Sequence, residues 1–556
     1  MPRSPLSDAV SAHLSRRRAS FHTPGHKGRL APPTGAAGPA GSAKPADFAE
    51  AAGLPGPVNP AGPARQPGRC GAGGRLDQPD SPADAVPAAG WTGPTEFTPI
   101  PPIHPDSPAD PAAAGRLTAL PSASASVTPA ACEPLSVPRI HAAPSESGGW
   151  AALDLTELPD TGSLYDGGDV IQQAEQQAAS AFGADLTLFS AGGCTLCIQT
   201  MLLLGGGRHV LMARNAHRSA MQAAALLDLP ITWVWPKAGQ ITAEEIDAAL
   251  SADSSIQSVY ITSPHYYGVL ADIPAIAAVC RRHGLPLLVD NAHGSHLGAF
   301  GLHPLQLGAD MTADSAHKTL PVLTGGAYLH IRQRDFFAKI SPLQAKAAMS
   351  VFGSTSPSYP VLVSLDRAAG WWQAEGAAAF QRLAARLSAL PTGAFTSFKN
   401  LPRSLRDPVR LTLDCGDRDA RAAAARLREW GIEPELADAR YVVCIPTPWN
   451  TEEELSRLEQ AVARLGEVSL PRCRSAAFSP AAIGTPPAVA LSPRQALLSP
   501  KQEVPVRESI GRICGAAVCP CPPGVAALVP GEVVSAEMAE FLESCGIRRI
   551  VLANAL

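Results

Sequence analysis

No run of eighteen apolar residues occurs in the 556-residue chain, so the sequence predicts no membrane-spanning helix. The basic triplet Arg16-Arg17-Arg18 is not followed by the apolar stretch an export signal needs, which argues against secretion. Charge of one sign is missing as well. The 45 Lys and Arg against 49 Asp and Glu leave a net charge of −4, which gives no basis for nucleic acid or an anionic membrane as partner. The 12 cysteines are scattered through a long chain, unlike a small disulfide framework, and a reducing cytoplasm is the expected location. Cys194 and Cys197 have CxxC spacing, but no second pair stands at zinc-like spacing, so a loop and no metal is expected there.

Proline, by contrast, is plentiful and unevenly placed. The chain holds 55 prolines, about twice ordinary usage, and many fall between residues 30 and 147. That stretch is mostly Pro, Ala, Gly and Ser, and repeats Asp-Ser-Pro-Ala-Asp at Asp80 and Asp106. It keeps no helix or strand period and cannot bury enough apolar surface to offset its ordering entropy, so a disordered insertion is expected. A small irregular domain is the competing reading. A chain of this length implies two to four domains. The expected division is an N-terminal segment 1–29, the insertion 30–149, a large domain 150–390 and a small α/β domain 391–474. A linker 475–492 and a C-terminal domain 493–556 complete it.

From Trp150 the pattern alternates. Short apolar runs at Leu186–Phe189, His209–Met212, Ile231–Val234, Ser258–Ile261 and Leu285–Val289 have strand length. Between them, helices are expected at Asp169–Phe182, Thr195–Leu204, His217–Leu227, Thr242–Leu250 and Ile273–His283, the fourth opened by a Thr242/Glu245 capping box. This alternation predicts right-handed crossovers and a mainly parallel sheet sandwiched by helices, with ligands beyond the carboxyl ends of the strands.

Two segments carry the chemistry. Asp290-Asn-Ala-His-Gly294 directly follows the apolar Leu287-Leu288-Val289, and Ser315-Ala-His-Lys-Thr319 precedes Thr324-Gly-Gly326 and a further apolar strand. An acid at one strand end and a lysine before a later strand suit a pyridoxal 5'-phosphate enzyme. The Lys318 amine would form a Schiff base with the cofactor aldehyde, and Asp290 would keep the pyridine nitrogen protonated. An isolated lysine or strand-end aspartate would ordinarily be a surface residue or a turn cap. Ala191-Gly-Gly-Cys-Thr195 opens a helix, where backbone N–H groups and a hydroxyl could hold phosphate. His217 stands where a strand passes into a helix, either stacked on a cofactor ring or as an ordinary helix-start histidine.

The chain resembles the Orn/Lys/Arg decarboxylase class-I family in its short form, without an N-terminal wing domain. The resemblance runs through Phe21-His-Thr-Pro-Gly-His-Lys-Gly28, Asp154-Leu-Thr-Glu157, Arg214–Ser219, Ser263-Pro-His-Tyr-Tyr-Gly268, Asp290–Gly294 and Ser315–Thr319. It continues through Ser354-Thr-Ser-Pro-Ser358, Pro522-Pro-Gly524 and Pro530-Gly-Glu532, covering essentially everything except the 30–147 stretch. It implies the PLP-dependent transferase fold type I: a mainly parallel seven-stranded sheet between helices, a small α/β domain and a C-terminal α+β domain. Homodimers with active sites at the interface are implied too.

Position by position, the resemblance makes Lys318 the cofactor lysine, Asp290 the partner of the pyridine nitrogen and His217 the ring-stacking histidine, with Ala292 on the opposite face. Gly193, Cys194, Thr195, Ser315 and His317 match phosphate-side positions, and His293 falls in the active-site block. Ser354, Thr355 and Ser356 are expected near a neighbouring subunit's cofactor. Three residues depart from the family pattern: Cys194 where a small hydroxyl residue is common, Asn291 where an acid is frequent, and Cys521 where a tyrosine often precedes Pro-Pro-Gly. The implied reaction is decarboxylation of arginine, lysine or ornithine to the amine and CO2, with Glu532 a candidate for the acid that binds the substrate's cationic side chain. Other fold-type-I reactions (transamination, aldol cleavage, β-elimination) and a catalytically silent protein of this fold stay open at this stage.

Overall fold

The computed structural model describes residues 5, 6, 8, 153–167, 169–236, 240–395, 397–398, 400–473, 486–520 and 526–554. The proline-rich stretch, the Phe21–Gly28 block, most of the 475–492 linker, and Cys521 with Pro522-Pro-Gly524 lie outside the described residues.

A seven-stranded sheet organises the large domain, in the order β1-β7-β6-β5-β4-β2-β3. The strands are β1 Leu186–Ser190, β2 Val210–Ala213, β3 Ile231–Val234, β4 Ser258–Thr262, β5 Leu287–Asp290, β6 Met311–Asp314 and β7 Ala327–Ile331. β2 to β6 pair in parallel, and β7 alone runs antiparallel, against β1 and β6. The reason lies in the connection after β6. It contains only the four-residue helix Ala316–Thr319, too little to carry the chain back to the start of the sheet. The Lys318 segment therefore stays at the edge where the parallel strands end. β5, β6 and β7 are buried along their whole length, as a sheet covered on both faces requires.

The expected helices form where local signals place them. α1, Val170–Phe182, is capped by the Asp169 side chain and stopped by Gly183, whose left-handed φ of 70° suits glycine. α2 is Gly193–Gly205, and α3, Arg218–Leu227, begins on His217 as its N-cap. α4, Ala243–Ala252, carries the Thr242/Glu245 capping box, and α5 is Ile273–Arg282. The sequence reading did not mark β6, because Met311-Thr-Ala-Asp314 has neither an apolar run nor clear alternation. A second, antiparallel sheet follows, ordered β8 Leu411–Asp414, β10 Tyr441–Cys444, β9 Leu436–Ala437. A final hairpin-like pair joins β11 Lys501–Pro505 to β12 Arg549–Ala553. Among the described residues no helix is long and apolar enough to cross a membrane.

Glu532 corrects one expectation. Its two carboxylate oxygens take Nη1 and Nη2 of Arg214 at 2.8 and 2.7 Å, and both side chains are buried. The guanidinium also donates to the Ala527 carbonyl and lies over the rings of Trp233 and Trp235 at 4.8 and 4.5 Å. With both oxygens engaged, Glu532 clamps the C-terminal segment to the strand end that leads to His217 and is not free to bind a substrate cation. Glu532→Ala would leave Arg214 buried without a counter-charge, so unfolding in denaturant should show a loss of about 3–5 kcal/mol. A loss near zero would contradict the clamp.

Candidate active site

The carboxyl ends of β1, β2, β5 and β6 bring the chemical residues to one edge of the sheet. Asp290, the last residue of β5, is 2% exposed. Its Oδ2 accepts from the Tyr260 hydroxyl at 3.3 Å and its Oδ1 from the Ala292 N–H at 3.1 Å. Burial raises its pKa, against the opposing pull of the Lys318 charge and those two hydrogen bonds. Burial likewise pushes Lys318 down, opposed by the negative charges of Asp290 and Glu435. Each of the pair therefore appears among the charges that act on the other. β5, which ends in Asp290, pairs with β6, whose following segment carries Lys318.

Histidines surround the amine. Lys318 Nζ lies 3.0 Å from His293 Nε2, and the His293 ring meets Tyr266 edge-on with centroids 4.8 Å apart. His217, at the start of α3, accepts the Ser219 N–H on Nδ1 at 3.2 Å, which fixes its ring at the strand end. Its ring is held down to about 4 by partial burial, then by Lys318 and Arg218, and His317 likewise to about 4 by burial and Lys318. Both are neutral at physiological pH.

The α2 turn fits a phosphate. No side chain caps this helix, so its first amides point outward from the N-terminus. The structure refines the expectation for Gly193. Its φ of 72° is a backbone state that favours glycine, and its own N–H donates to the Gly325 carbonyl at 2.8 Å. The next amides, of Cys194 and Thr195, are the ones placed for an anion. The Cys194 thiol hydrogen-bonds Ser315 and is pushed well up by burial, so it stays a neutral thiol. Cys194 and Cys197 are buried and share no disulfide. Asn291 is explained too: its amide donates to Asp314 Oδ2 at 2.7 Å, beside His303 Nε2 at 3.0 Å from the same oxygen.

Ser354, Thr355 and Ser356 are exposed. Ser354 and Ser356 line a cavity of about 200 Å³ together with Gly192 and Thr195 of the α2 turn, Tyr165 and Phe352. Sequence reasoning missed Tyr260, Arg410 and Glu435. Tyr260 sits inside a β4 run that looks purely structural. Arg410 and Glu435 come from the region of the second sheet, and nothing in their neighbours signals that their charges act on Lys318. Tyr266 was within a quoted block and donates its hydroxyl to Glu435 Oε1 at 2.8 Å.

The sheet order and the paired acid and lysine at its edge define the PLP-dependent transferase fold, type I. Among solved structures, the constitutive lysine decarboxylase of E. coli is similar, with a TM-score of 0.59 at 18% identity over 73% of this chain and 76% of that one. Lysine decarboxylase A of Pseudomonas aeruginosa gives 0.58 at 18% identity over 70% and 69%. The family description "Orn/Lys/Arg decarboxylase, major domain" matches residues 150–388, and the C-terminal domain of the same family matches 477–546. The arginine decarboxylase of Halalkalibacterium halodurans is 29% identical over 412 residues, 69% of this chain and 82% of that protein. That of Bacillus subtilis is 28% identical over 417 residues, 70% and 84%. The chain belongs to the Orn/Lys/Arg decarboxylase family and is an amino-acid carboxy-lyase.

Proposed function

We propose that the chain holds pyridoxal 5'-phosphate at Lys318 and removes CO2 from a basic amino acid, with arginine the first candidate substrate. The observation that carries this reading is the geometry at the sheet edge: β5, ending in the buried Asp290, lies beside β6, which leads to Lys318, and Lys318 Nζ is 3.0 Å from His293 of the Asp290 segment. The residues present fit the cofactor. Asp290 is buried with its charge under-compensated, and a pyridinium nitrogen would relieve it. The uncapped start of α2 has amides for phosphate, with Thr195, Ser315 and His317 beside them. When bound, the cofactor supplies a cationic ring that takes up the electron pair released as CO2 leaves.

The chain's own residues then divide the work. Asp290 holds the proton on the ring nitrogen. His217 and Ala292 confine the ring from its two faces. Lys318 offers its Nζ to the cofactor aldehyde, and His293 lies beside that atom to hold a proton there. Ser354 and Thr355 serve the neighbouring subunit of a homodimer, and the reducing cytoplasm is the expected location.

Glu435 replaces Glu532 as the acid for the substrate's cationic end. It is half-buried on the small domain, oriented by Tyr266, and its charge bears on Lys318. Glu435→Gln should raise KM for the substrate by about 10- to 100-fold, the worth of one charge-assisted hydrogen bond, and leave the melting temperature nearly unchanged. An unchanged KM would remove Glu435 from the site. The reaction itself is tested by incubating the purified chain with arginine, lysine and ornithine in parallel. CO2 and the arginine-derived amine are expected; a keto acid or an aldehyde would overturn the assignment. Relatives named arginine decarboxylase, matched over more than four-fifths of their length, support arginine first.

A further inference from the structure

His293 lies between Arg410 and Lys318, and the side chain that never gives up a proton decides the state of the other two. Arg410 immediately precedes β8 and its side chain is buried. Its Nη2 donates to both the carbonyl and the Nδ1 of His293, each at 3.3 Å. A guanidinium has donors only and stays charged at every physiological pH. Nδ1 must therefore be the accepting nitrogen, and in a neutral imidazole the proton is then on Nε2. That nitrogen is 3.0 Å from Lys318 Nζ. An N–H facing an ammonium would be two donors nose to nose, so Nζ accepts and the lysine is an uncharged amine.

We infer that Arg410 is the positioning residue that fixes His293 in its Nε2–H form and so holds Lys318 as a neutral amine. Such an amine keeps the lone pair that bonding to an aldehyde carbon requires. Its catalytic meaning rests on the assignment of Lys318 as the cofactor lysine; the tautomer itself does not.

The surroundings are consistent with this. Burial, and after it the fixed charge of Arg410, keep the His293 ring neutral, and the nearby rings of His217 and His317 are themselves held down to about 4. Tyr266 covers it edge-on. Arg410 is steered from its other side by Asp407, 3.7 Å from Nε, and Asp407 is in turn held by His296 Nε2 at 2.8 Å and the Val409 N–H at 3.0 Å. Space for the arginine stem is kept by Gly268. At its φ of 83°, a Cβ would stand 2.7 Å or less from Cβ and Cγ of Arg410.

The test uses the full cofactor-free chain labelled with 15N-histidine. Long-range proton–nitrogen spectra should show His293 protonated on Nε2 in the native sequence. Arg410→Gln, whose amide oxygen can accept, should move the proton wholly or partly to Nδ1, whereas Arg410→Lys, still a cationic donor, should retain the native form. In parallel, the rate at which added pyridoxal 5'-phosphate develops its lysine-linked absorbance is followed against pH. Its midpoint should rise by roughly one unit or more in Arg410→Gln, about a tenfold slower reaction at neutral pH. An Nδ1–H His293 in the native chain overturns the inference whether or not a variant folds, as does an unmoved tautomer or midpoint in Arg410→Gln. If the cofactor links elsewhere while His293 is Nε2–H, the Lys318 assignment fails and the tautomer inference stands.

Discussion

Lys318→Ala is expected to abolish the visible absorbance of the bound cofactor and to cut decarboxylation by roughly 10⁴-fold, the scale of losing a nucleophile whose covalent step has no substitute. The expectation follows from the site's construction. The amine is half-buried against His293, in the segment that follows β6, beside the strand that ends in Asp290. The buried Lys346 is spent on Glu175 at 2.8 Å and on the Leu164 carbonyl. The fold should survive the change, because removing a desolvated amine costs few contacts. Circular dichroism and melting then separate a lost reaction from a lost structure. Near-native turnover in a folded Lys318→Ala would refute the lysine's role.

Asp290→Asn should lower kcat by about 10²–10³-fold, the usual cost of removing a preorganised charge from a dry site. The amide preserves shape and can still accept from Tyr260, so cofactor binding should weaken less than turnover. A second consequence has the opposite sign. Burial raises the folded-state pKa of Asp290, so the stability it contributes is present at low pH and is lost as pH rises through the raised value. Asparagine has no charge to bury. The cofactor-free variant should therefore melt at a higher temperature than the native chain at neutral pH, while being far less active. Equal melting temperatures would indicate that Asp290 is not under-compensated, and the motive for a cationic ring beside it would weaken.

Much of this was legible in the sequence because the relevant signals are local. Apolar runs with helical stretches between them place β1 to β5, and cap residues such as Asp169, Gly183 and Thr242 fix helix ends through their own side chains or backbone freedom. Asp290, His217 and Lys318 lie at strand ends, the places such sheets use for ligands. What stayed hidden depends on contacts between distant segments. β6 is buried in context and not by its own pattern. Arg410 and Glu435 come from the region of the second sheet, and no spacing rule links residue 410 or 435 to residue 318. Glu532 looked available because a sequence shows a carboxylate without its partner. The Arg214 that consumes it stands 318 positions earlier.

The most direct measurement is to reduce the cofactor-loaded enzyme with borohydride, digest it and locate the modified residue by mass spectrometry. The account predicts the cofactor's mass on the peptide containing Lys318. A modified lysine elsewhere, or none at all in protein with the cofactor's absorbance, would contradict it.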